Sequence, residues 1–319
     1  MSGALKKDWD GKPYHSLDYE VKHCFGKKLY RLSLNGGMSC PNRDGTIGYG
    51  GCIFCSEGGS GDFAEESRLS VTEQLRNARK RIERKLPKNI PYGYIAYFQA
   101  YTNTYGPVEY LRSLFTEAME DEEVEVLSIA TRPDCLPEKV VALLSELNRK
   151  KPVWVELGLQ TAKAETARLI RRGYGLSCFT EARKRLETAG IPVIAHVIIG
   201  LPGEGKGELL ETIDYINRQK LEGIKLQLLH ILKETGLTEL YEKGEVRGLS
   251  FEEYESLLFA ALARLRPETV VHRITGDGPK KLLLAPLWSG DKKQVFNRLH
   301  RDMKEQELWQ GKDYHEEEA

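Results

Sequence analysis

The chain has 319 residues, of which 40% are hydrophobic, and its 47 Lys and Arg residues balance its 47 Asp and Glu residues. This length suits one α/β barrel-like domain with extensions, and the balanced charge excludes a protein that binds polyanions over its whole surface. Six cysteines are too few for a disulfide scaffold in a chain of this size, so clustered cysteines point to a metal or to catalysis.

No apolar run approaches the roughly 20 residues that are needed to span a membrane. The N-terminal sequence MSGALKKDWDGKPYHS has neither the apolar core of a signal peptide nor the composition of a transit peptide. We therefore expect a cytoplasmic protein without a membrane partner.

Strand and helix patterns alternate along the chain. Residues 28–35 alternate apolar and polar side chains, which predicts a first strand, and Ser70 with Glu73 forms a capping-box pattern that begins a helix through about residue 86. Further strands are predicted at 94–101, 124–130, 153–160, 191–200, 224–232 and 269–275. Further helices are predicted at 107–120, 137–150, 163–172, 178–189, 206–219 and 250–266, and a basic helical segment near 291–309.

Seven strands that alternate with helices imply a parallel sheet covered by helices. The predicted fold is therefore α/β, a partial (β/α)6-type TIM-like barrel at 29–277 with an N-terminal extension at 1–28 and a C-terminal extension at 278–319. The active site of such a fold lies at the carboxyl ends of the strands.

One glycine-rich loop directly follows the first predicted strand and holds three cysteines. The cysteine loop, residues 36–63, carries Cys40, Cys52 and Cys55 in the spacing C-x11-C-x2-C, with Phe54 just before the last cysteine. A 4Fe–4S cluster normally takes four thiolates, so three would leave one iron open for a small molecule. Because the loop follows a strand, it should lie on the active edge of the barrel.

Two other interpretations of the cysteines stay open. Cys52 and Cys55 form a good half-site for structural zinc, which Cys40 with Cys24 or His23 would complete. The cysteines of the loop could also be incidental. Cys135 and Cys178 lie in or beside predicted helices and are expected to be inert thiols.

The period of two in a strand separates the side chains that face the covering helices from those that face the barrel interior, or lumen. In the strand 153–160 the four apolar residues share one face, and Trp154, Glu156, Gly158 and Gln160 share the other. A carboxylate and an amide beside a glycine suit a cavity that holds ribose hydroxyls. The alternative is a polar pair that faces solvent at the strand end.

Other polar residues fall within strands or at their ends. Gln99 ends the second strand, and Arg132 ends the third. His196, Lys225, Gln227 and Arg273 can reach the lumen and are candidates for substrate contacts, although His196 could equally be a hydrogen-bonded core histidine.

The cysteine spacing, the aromatic residue before the last cysteine and the position after a first barrel strand resemble the radical S-adenosylmethionine (radical SAM) superfamily. The usual spacing there is C-x3-C-x2-C, and the gap of eleven residues is similar to the YhcC/YtqA-like branch, which is distantly similar to the coproporphyrinogen dehydrogenase and Elongator catalytic-subunit groups. The segment FGKKLYRLSLNGGMSCPNRDGTIGYGGCIFC carries this resemblance, which runs from about residue 10 to 305.

The resemblance implies that the three loop cysteines hold a 4Fe–4S cluster and that S-adenosylmethionine (SAM) chelates the fourth iron. One-electron reduction by a flavodoxin or ferredoxin-type donor then cleaves SAM to a 5′-deoxyadenosyl radical. Phe54 would lie against the adenine, Arg172 would contact the SAM carboxylate, and Gly200 would form the turn under the adenine. An exposed basic helix end is the alternative for Arg172. The remaining SAM contacts implied are Gln99, Arg132, Glu156 and Gln160.

The resemblance also implies a substrate, the wobble uridine of tRNA. The reaction would remove the carboxymethyl group from 5-carboxymethylaminomethyl(-2-thio)uridine and leave the 5-aminomethyl form, with Lys225 or Arg273 clamping the carboxylate. The helix that begins at Ser70 carries seven basic residues and only two acidic ones, Glu73 and Glu83. These basic residues either contact the phosphates of a nucleic acid or form a solvent-exposed face of the helix. The alternatives are a radical SAM enzyme on a small metabolite or peptide, and a zinc-stabilised nucleic-acid-binding protein without catalysis.

Overall fold

The structure is a computed structural model that describes residues 6–59, 61–276 and 278–316. Its centre is a seven-stranded sheet in which every neighbouring pair of strands is parallel. In order across the sheet the strands are β1 (Lys28–Leu34), β2 (Tyr92–Phe98), β3 (Val124–Thr131), β4 (Val153–Gln160), β5 (Val193–Ile199), β6 (Gly223–Leu228) and β8 (Val270–Arg273). The strands follow one another in chain order, with helices between them, which is a curled half-barrel. The predicted α/β fold with a parallel sheet is confirmed.

A two-stranded ribbon lies beside this sheet and was not predicted. Its strands are β7 (Ile231–Leu232) and β9 (Leu283–Ala285), which pair antiparallel. The single strand predicted at 224–232 was wrong, because the chain leaves the main sheet after Leu228. The run is apolar on both sides of this break, so its pattern contains no sign of a change of partner.

The helices that cover the sheet end within a few residues of the predicted positions. Ser70 caps its helix through the predicted capping box with Glu73, and Ser250 forms the same box with Glu253. Pro137 was predicted as the first helical residue, but it is the N-cap. The helices are α1 (Leu17–Phe25), α2 (Val71–Ile82), α3 (Val108–Glu120), α4 (Glu138–Asn148), α5 (Ala164–Leu169), α6 (Leu176–Thr188), α7 (Lys206–Arg218), α8 (Gly236–Glu242), α9 (Phe251–Arg264) and α10 (Lys292–Glu305).

Helix α1, which the sequence patterns did not reveal, closes the amino end of the half-barrel. Its Val21 packs with Leu29, Ile95 and Val126, which come from β1, β2 and β3. Just before the helix, the His15 carbonyl accepts a hydrogen bond from Val271 N at 2.7 Å, so this segment also covers the free edge of β8. The helix thus contacts both edge strands and fills the lumen at one end with apolar side chains.

The two faces of the strands are used as the alternation predicts. Val153, Val155, Leu157 and Leu159 of β4 are completely buried under the helices and belong to the main hydrophobic core. The opposite face of the same strand points into the lumen. None of the helices in the described parts of the chain is long and apolar enough to cross a membrane.

Candidate active site

The cysteine loop lies at the carboxyl ends of the strands, where it forms one wall of a cavity of about 370 Å³. Cys40, Cys52 and Cys55 all line this cavity. Tight turns bring them there: Cys55 N donates to the Cys52 carbonyl at 3.0 Å, and the Cys40 carbonyl accepts from Arg43 N at 2.8 Å. The three thiols therefore share one wall on the predicted active edge of the sheet.

The eleven residues between the first two cysteines, Pro41–Gly51, fold into a compact turn that is anchored to its surroundings. Gly51 N donates to the Asn42 carbonyl at 2.8 Å, and Asn42 Nδ2 donates to the Arg171 carbonyl at 2.6 Å. Arg43 donates to the carbonyls of Cys55 and Ser56 and lies over the Tyr101 ring. The long insertion thus ties the first cysteine segment to the last cysteine.

Glycine is required at one point of this turn. Gly45 has a φ of 91°, a left-handed conformation, and a Cβ atom there would lie 2.6 Å from the ring of Tyr49. Tyr49 itself is 81% exposed. The turn therefore presents an aromatic side chain to solvent beside the cysteine wall.

The donor chemistry of this wall fits an iron–sulfur cluster. The neighbouring Cys55 thiol and burial raise the pKa of Cys52 well above its usual range, so this sulfur retains its proton until a metal replaces it. In the described residues, no three His, Cys, Asp or Glu side chains are placed to hold a single metal ion. A cluster spreads its ligands around four irons, and thiolates are the ligands it takes.

The zinc site that would use Cys24 or His23 is wrong. Both residues lie in α1, at the amino end of the half-barrel, and Cys24 hydrogen-bonds Glu20 within that helix. Cys40 follows the carboxyl end of β1, which is seven residues long. At about 3.3 Å per residue the two ends are roughly 20 Å apart, too far for common ligands of one ion.

The other two cysteines lie outside the cavity wall. Cys135 is buried, and burial raises the pKa of its thiol above the usual range. Cys178 is partly buried in α6, and burial raises the pKa of its thiol as well. Neither is activated as a thiolate, which agrees with the expected inert role.

The lumen floor consists of Tyr97, Glu156, His196, Lys225 and Arg273, which all line the same cavity as the cysteines. Glu156 is at its centre and is only 1% exposed. Its Oε2 pairs with Lys225 Nζ and lies 2.7 Å from His196 Nε2. Its Oε1 accepts from Ser128 Oγ at 2.9 Å and lies 3.6 Å from Arg31 Nη2. The alternative that Glu156 faces solvent at a strand end is therefore wrong.

Parallel pairing explains why these groups meet. His196 on β5 is in register with Lys225 on β6, and Ala130 on β3 is in register with Glu156 on β4. Side chains at equivalent heights on neighbouring strands point into the same layer of the lumen. Lys225 Nζ also donates to Tyr97 Oη at 3.1 Å, so the layer extends to β2.

The charges of this layer follow from burial and neighbours. Burial alone would raise the pKa of Glu156, but Lys225 and Arg31 hold it well below its usual range. Burial, together with the Lys225 charge, lowers the pKa of His196 to about 4. At neutral pH Glu156 is thus ionised, and His196 is a neutral hydrogen-bond partner within the floor.

Five of the seven residues predicted to contact SAM line the cavity, and two do not. Phe54, Gln99, Arg132, Glu156 and Gln160 lie on its surface. Gly200 lies outside the lining residues, in a turn with a φ of 91° where a Cβ atom would meet Leu249 at 2.8 Å. Contacts between all seven residues and SAM stay predictions.

Arg172 is the other residue outside the lining set. It is 2% exposed, and its guanidinium donates to the carbonyls of Leu159, Thr161 and Tyr174. The alternative of an exposed basic helix end is wrong, because Arg172 is buried. The three carbonyl oxygens replace the water that its guanidinium loses on burial. In this structure Arg172 fixes the chain that follows β4.

Arg132 and Gln160 have partners of their own at the rim. Arg132 pairs with Asp134 through two hydrogen bonds of 2.7 and 3.0 Å and donates to the Arg172 carbonyl. Gln160 Oε1 accepts from Tyr174 Oη at 3.3 Å. These contacts orient both side chains at the cavity surface before any ligand binds.

Sequence reasoning missed Arg31 and Tyr97. Both contact the floor network, and both lie in predicted strands, of which the strand that holds Arg31 had been recognised by its alternation. Applying to β1 the same face assignment that was applied to β4 would have placed Arg31 in the lumen. Tyr97 lies in an almost wholly buried strand, so its sequence shows no polar face.

Replacing Glu156 by Gln should destabilise the protein by about 3–5 kcal/mol, because the change leaves the buried Lys225 without its counter-charge. The double variant Glu156→Gln/Lys225→Met should recover most of the loss. Thermal denaturation of anaerobically purified protein measures both. Equal losses in the single and double variants would contradict the interpretation of this pair as mutually dependent.

Lowering the pH should destabilise the protein through His196. Its pKa is about 4 in the folded chain, against about 6.5 when exposed, so the unfolded chain binds a proton in this window and the folded chain does not. The contribution of neutral His196 to the free energy of unfolding is complete above pH 7. It falls by up to ~1.4 kcal/mol per pH unit below pH 6.5. His196→Gln should show a shallower loss between pH 7.5 and 5 in thermal denaturation; parallel curves would count against this assignment.

Two family models cover most of the chain. Residues 40–216 match the model of the radical SAM superfamily, and residues 221–305 match that of the radical SAM C-terminal domain. The chain is 44% identical to YtqA of Bacillus subtilis, over 94% of this chain and 92% of that protein. It is 40% identical to YhcC of Escherichia coli K12, over 83% of this chain and 84% of that protein.

More distant similarities concern parts of longer proteins. Elongator complex protein 3 of Schizosaccharomyces pombe is 26% identical over 59% of this chain, which spans 35% of that protein. Among solved structures, the archaeal Elp3 of Methanocaldococcus infernus with an N-terminal deletion superimposes with a TM-score of 0.66 at 18% identity, over 89% of this chain and 64% of that one. The last similarity shows a common fold.

A superfamily match over more than half of the chain agrees with the parallel half-barrel and with thiols at its carboxyl edge. The chain therefore belongs to the radical SAM superfamily, whose members are enzymes that use a 4Fe–4S cluster and S-adenosylmethionine.

Proposed function

We propose that this enzyme modifies the wobble uridine of tRNA, by removing the carboxymethyl group of 5-carboxymethylaminomethyl(-2-thio)uridine to leave the 5-aminomethyl nucleoside. The observation that carries the proposal is the composition of the cavity, whose rim holds three thiols and whose buried floor holds more cations than carboxylates. Such a floor suits a substrate with a negatively charged end. The resemblance to the YhcC/YtqA-like branch and the Elongator group supports tRNA as the substrate that carries this negatively charged group.

Cys40, Cys52 and Cys55 would hold the cluster. When bound, the cluster and SAM supply a 5′-deoxyadenosyl radical after the cluster accepts an electron. Phe54 packs against the apolar group that includes Ile53 and Ile198, which fixes its ring beside the thiols as a surface for adenine. The chain thus binds and orients the reactants, and the apolar neighbours limit the access of water.

The substrate carbon that would lose hydrogen lies between an amine and a carboxylate, and both neighbours stabilise a carbon radical. Return of one further electron from this radical to the cluster would leave an imine. Water would hydrolyse the imine, which breaks the C–N bond and releases the carboxymethyl carbons as glyoxylate, leaving the 5-aminomethyl group. The task of the protein is to hold this methylene group below the thiol wall. Glu156, His196 and Lys225 are already locked to one another at the floor, so they form a rigid base for the substrate.

An exposed basic strip on α2 and the turn after it supports an RNA partner. Two of the seven basic residues of this helical segment are neutralised: Arg79 pairs with Asp121, and Arg81 pairs with Glu65. The other five are exposed and form no ion pair within the described chain: Arg76, Lys80, Arg84, Lys85 and Lys88. We propose that this strip, along α2 and the segment that follows it, contacts the phosphate backbone.

The electron donor is proposed to be a flavodoxin or a ferredoxin-type protein. The turn Pro41–Gly51 lies outside the thiols and presents Ile47 and Tyr49, which are 47% and 81% exposed. Exposed apolar side chains close to a redox centre suit a transient protein contact.

Each of the variants Cys40→Ala, Cys52→Ala and Cys55→Ala should abolish SAM cleavage, because each removes a cluster ligand. Cys24→Ala should retain wild-type activity, since Cys24 lies in α1 at the other end of the barrel. Production of 5′-deoxyadenosine under reductant and the iron content after anaerobic purification measure the effect. Wild-type protein should contain about four irons per chain; a colourless protein with one zinc would refute the cluster.

A strain that lacks this gene should accumulate the 5-carboxymethylaminomethyl(-2-thio)uridine nucleoside and lose the 5-aminomethyl product in its tRNA. Mass spectrometry of digested tRNA measures both nucleosides. The wild-type gene and a variant at an exposed residue outside the cavity, Arg218→Gln, should restore the product, and Cys55→Ala should not. An unchanged wobble-nucleoside profile in the deletion strain would eliminate tRNA wobble uridine as the substrate.

A further inference from the structure

Arg273 differs from the other cations of the lumen because it has no partner in the described chain. Lys225 is held by Glu156 and by Tyr97 Oη, and Arg31 lies 3.0 Å from His272 Nδ1 and 3.6 Å from Glu156 Oε1. Arg273, at the end of β8, lines the cavity but makes no hydrogen bond or ion pair with any described residue. Its guanidinium is therefore available to a ligand.

The charge of the surrounding layer favours an anion at this position. Arg31, Lys225 and Arg273 act on one another, and Glu156 is the one carboxylate in contact with this group among the residues that the structure describes. His196 and His272 add no negative charge. A half-buried guanidinium beside other cations is costly without a counter-charge, and a bound anion removes that cost.

The neighbours of Arg273 form a small polar recess. Arg273 is in register with Lys225, and Gln227 lies two residues further toward the carboxyl end of β6, also on the cavity surface. Gly276, just after β8, leaves this recess open, since a Cβ atom there would lie 3.7 Å from Gln227 Oε1 and 3.5 Å from His230 Cε1. Gln227 Nε2 is 3.5 Å from its partner, His196 Nδ1, a long contact that a ligand can replace.

We propose that Arg273, with Gln227 beside it, is the subsite that binds a carboxylate of the substrate. The planar guanidinium offers two parallel N–H donors, which match the two oxygens of a carboxylate. Lys225 is instead a positioning residue, whose ion pair with Glu156 holds the floor. This inference rests on the proposed function in that it names the part of the site that recognises the carboxylate, and it decides between the two clamp residues that the sequence suggested.

Saturation-transfer-difference NMR on the reconstituted, SAM-bound enzyme tests the subsite without tRNA. The probe is N-methylglycine, which carries a secondary amine and a carboxylate, and dimethylamine is the matched ligand without the carboxylate. We expect saturation of N-methylglycine in the wild-type enzyme and none of dimethylamine. Arg273→Gln should weaken N-methylglycine binding about 10–100-fold, because a charge-assisted pair is lost.

Three further variants separate binding from folding. Arg273→Lys should restore part of the binding, since it keeps the charge but loses the planar fork, and Arg218→Gln, at an exposed position of α7, should bind like wild type. Lys225→Met should retain more binding than Arg273→Gln. The proposal is overturned by equal binding in wild type and Arg273→Gln, by loss in Lys225→Met alone, or by inorganic phosphate that displaces N-methylglycine at lower concentration than acetate does.

The same variants assayed on tRNA distinguish the two proposals. If wild-type enzyme leaves carboxymethylaminomethylated tRNA unchanged, the proposed function fails, whereas the NMR result still decides the carboxylate subsite. If wild type forms product, the exposed control Arg218→Gln should leave KM for this tRNA unchanged, and Arg273→Gln should raise it. A KM equal to that of wild type would overturn the role of Arg273.

Discussion

Glu156 joins four strands of the half-barrel at one point. Arg31 on β1, Ser128 on β3, His196 on β5 and Lys225 on β6 all direct a polar group to its carboxylate. An ionised carboxylate with 1% exposure persists only where donors and cations compensate the lost water, and here each oxygen has a hydrogen bond and a cation beside it. The interior of the barrel is therefore a fixed polar layer, and the space above it is left for reactants.

The two ends of the half-barrel are opposite in character. At the amino end, α1 fills the lumen with apolar side chains, and the chain just before it covers the open edge of β8. At the carboxyl end, an irregular loop brings three thiols to the cavity wall. The floor is therefore open toward the edge at which the thiols lie.

Segments outside the helices and strands form much of the cavity rim, and arginine side chains fix their conformation. Arg43 ties the insertion of eleven residues to the carbonyls of Cys55 and Ser56, and the buried guanidinium of Arg172 binds three carbonyls at the end of β4 and in the segment that follows it. Both arginines thus donate to backbone oxygens at the ends of regular elements or in loops. Loops so anchored keep their shape without regular structure, which is what a site with several cofactor contacts requires.

Much of the fold and part of the site could be predicted from the sequence, because local patterns report local constraints. Alternating side chains revealed the strands and placed Glu156 in the lumen, and cysteine spacing singled out Cys40, Cys52 and Cys55. Such features depend on neighbours within a few residues. They could therefore be predicted without any knowledge of the tertiary structure.

Only the tertiary structure decided which distant groups meet. The pairing of β7 with β9, the partners of Glu156 and the burial of Arg172 all join segments that are far apart in the chain. The sequence could suggest either Lys225 or Arg273 as a clamp, because both are basic residues in lumen-facing strands. In the structure, Lys225 binds Glu156 and Tyr97, whereas Arg273 has no described partner. This difference depends on the curvature of the sheet, which brings β4, β6 and β8 around one cavity.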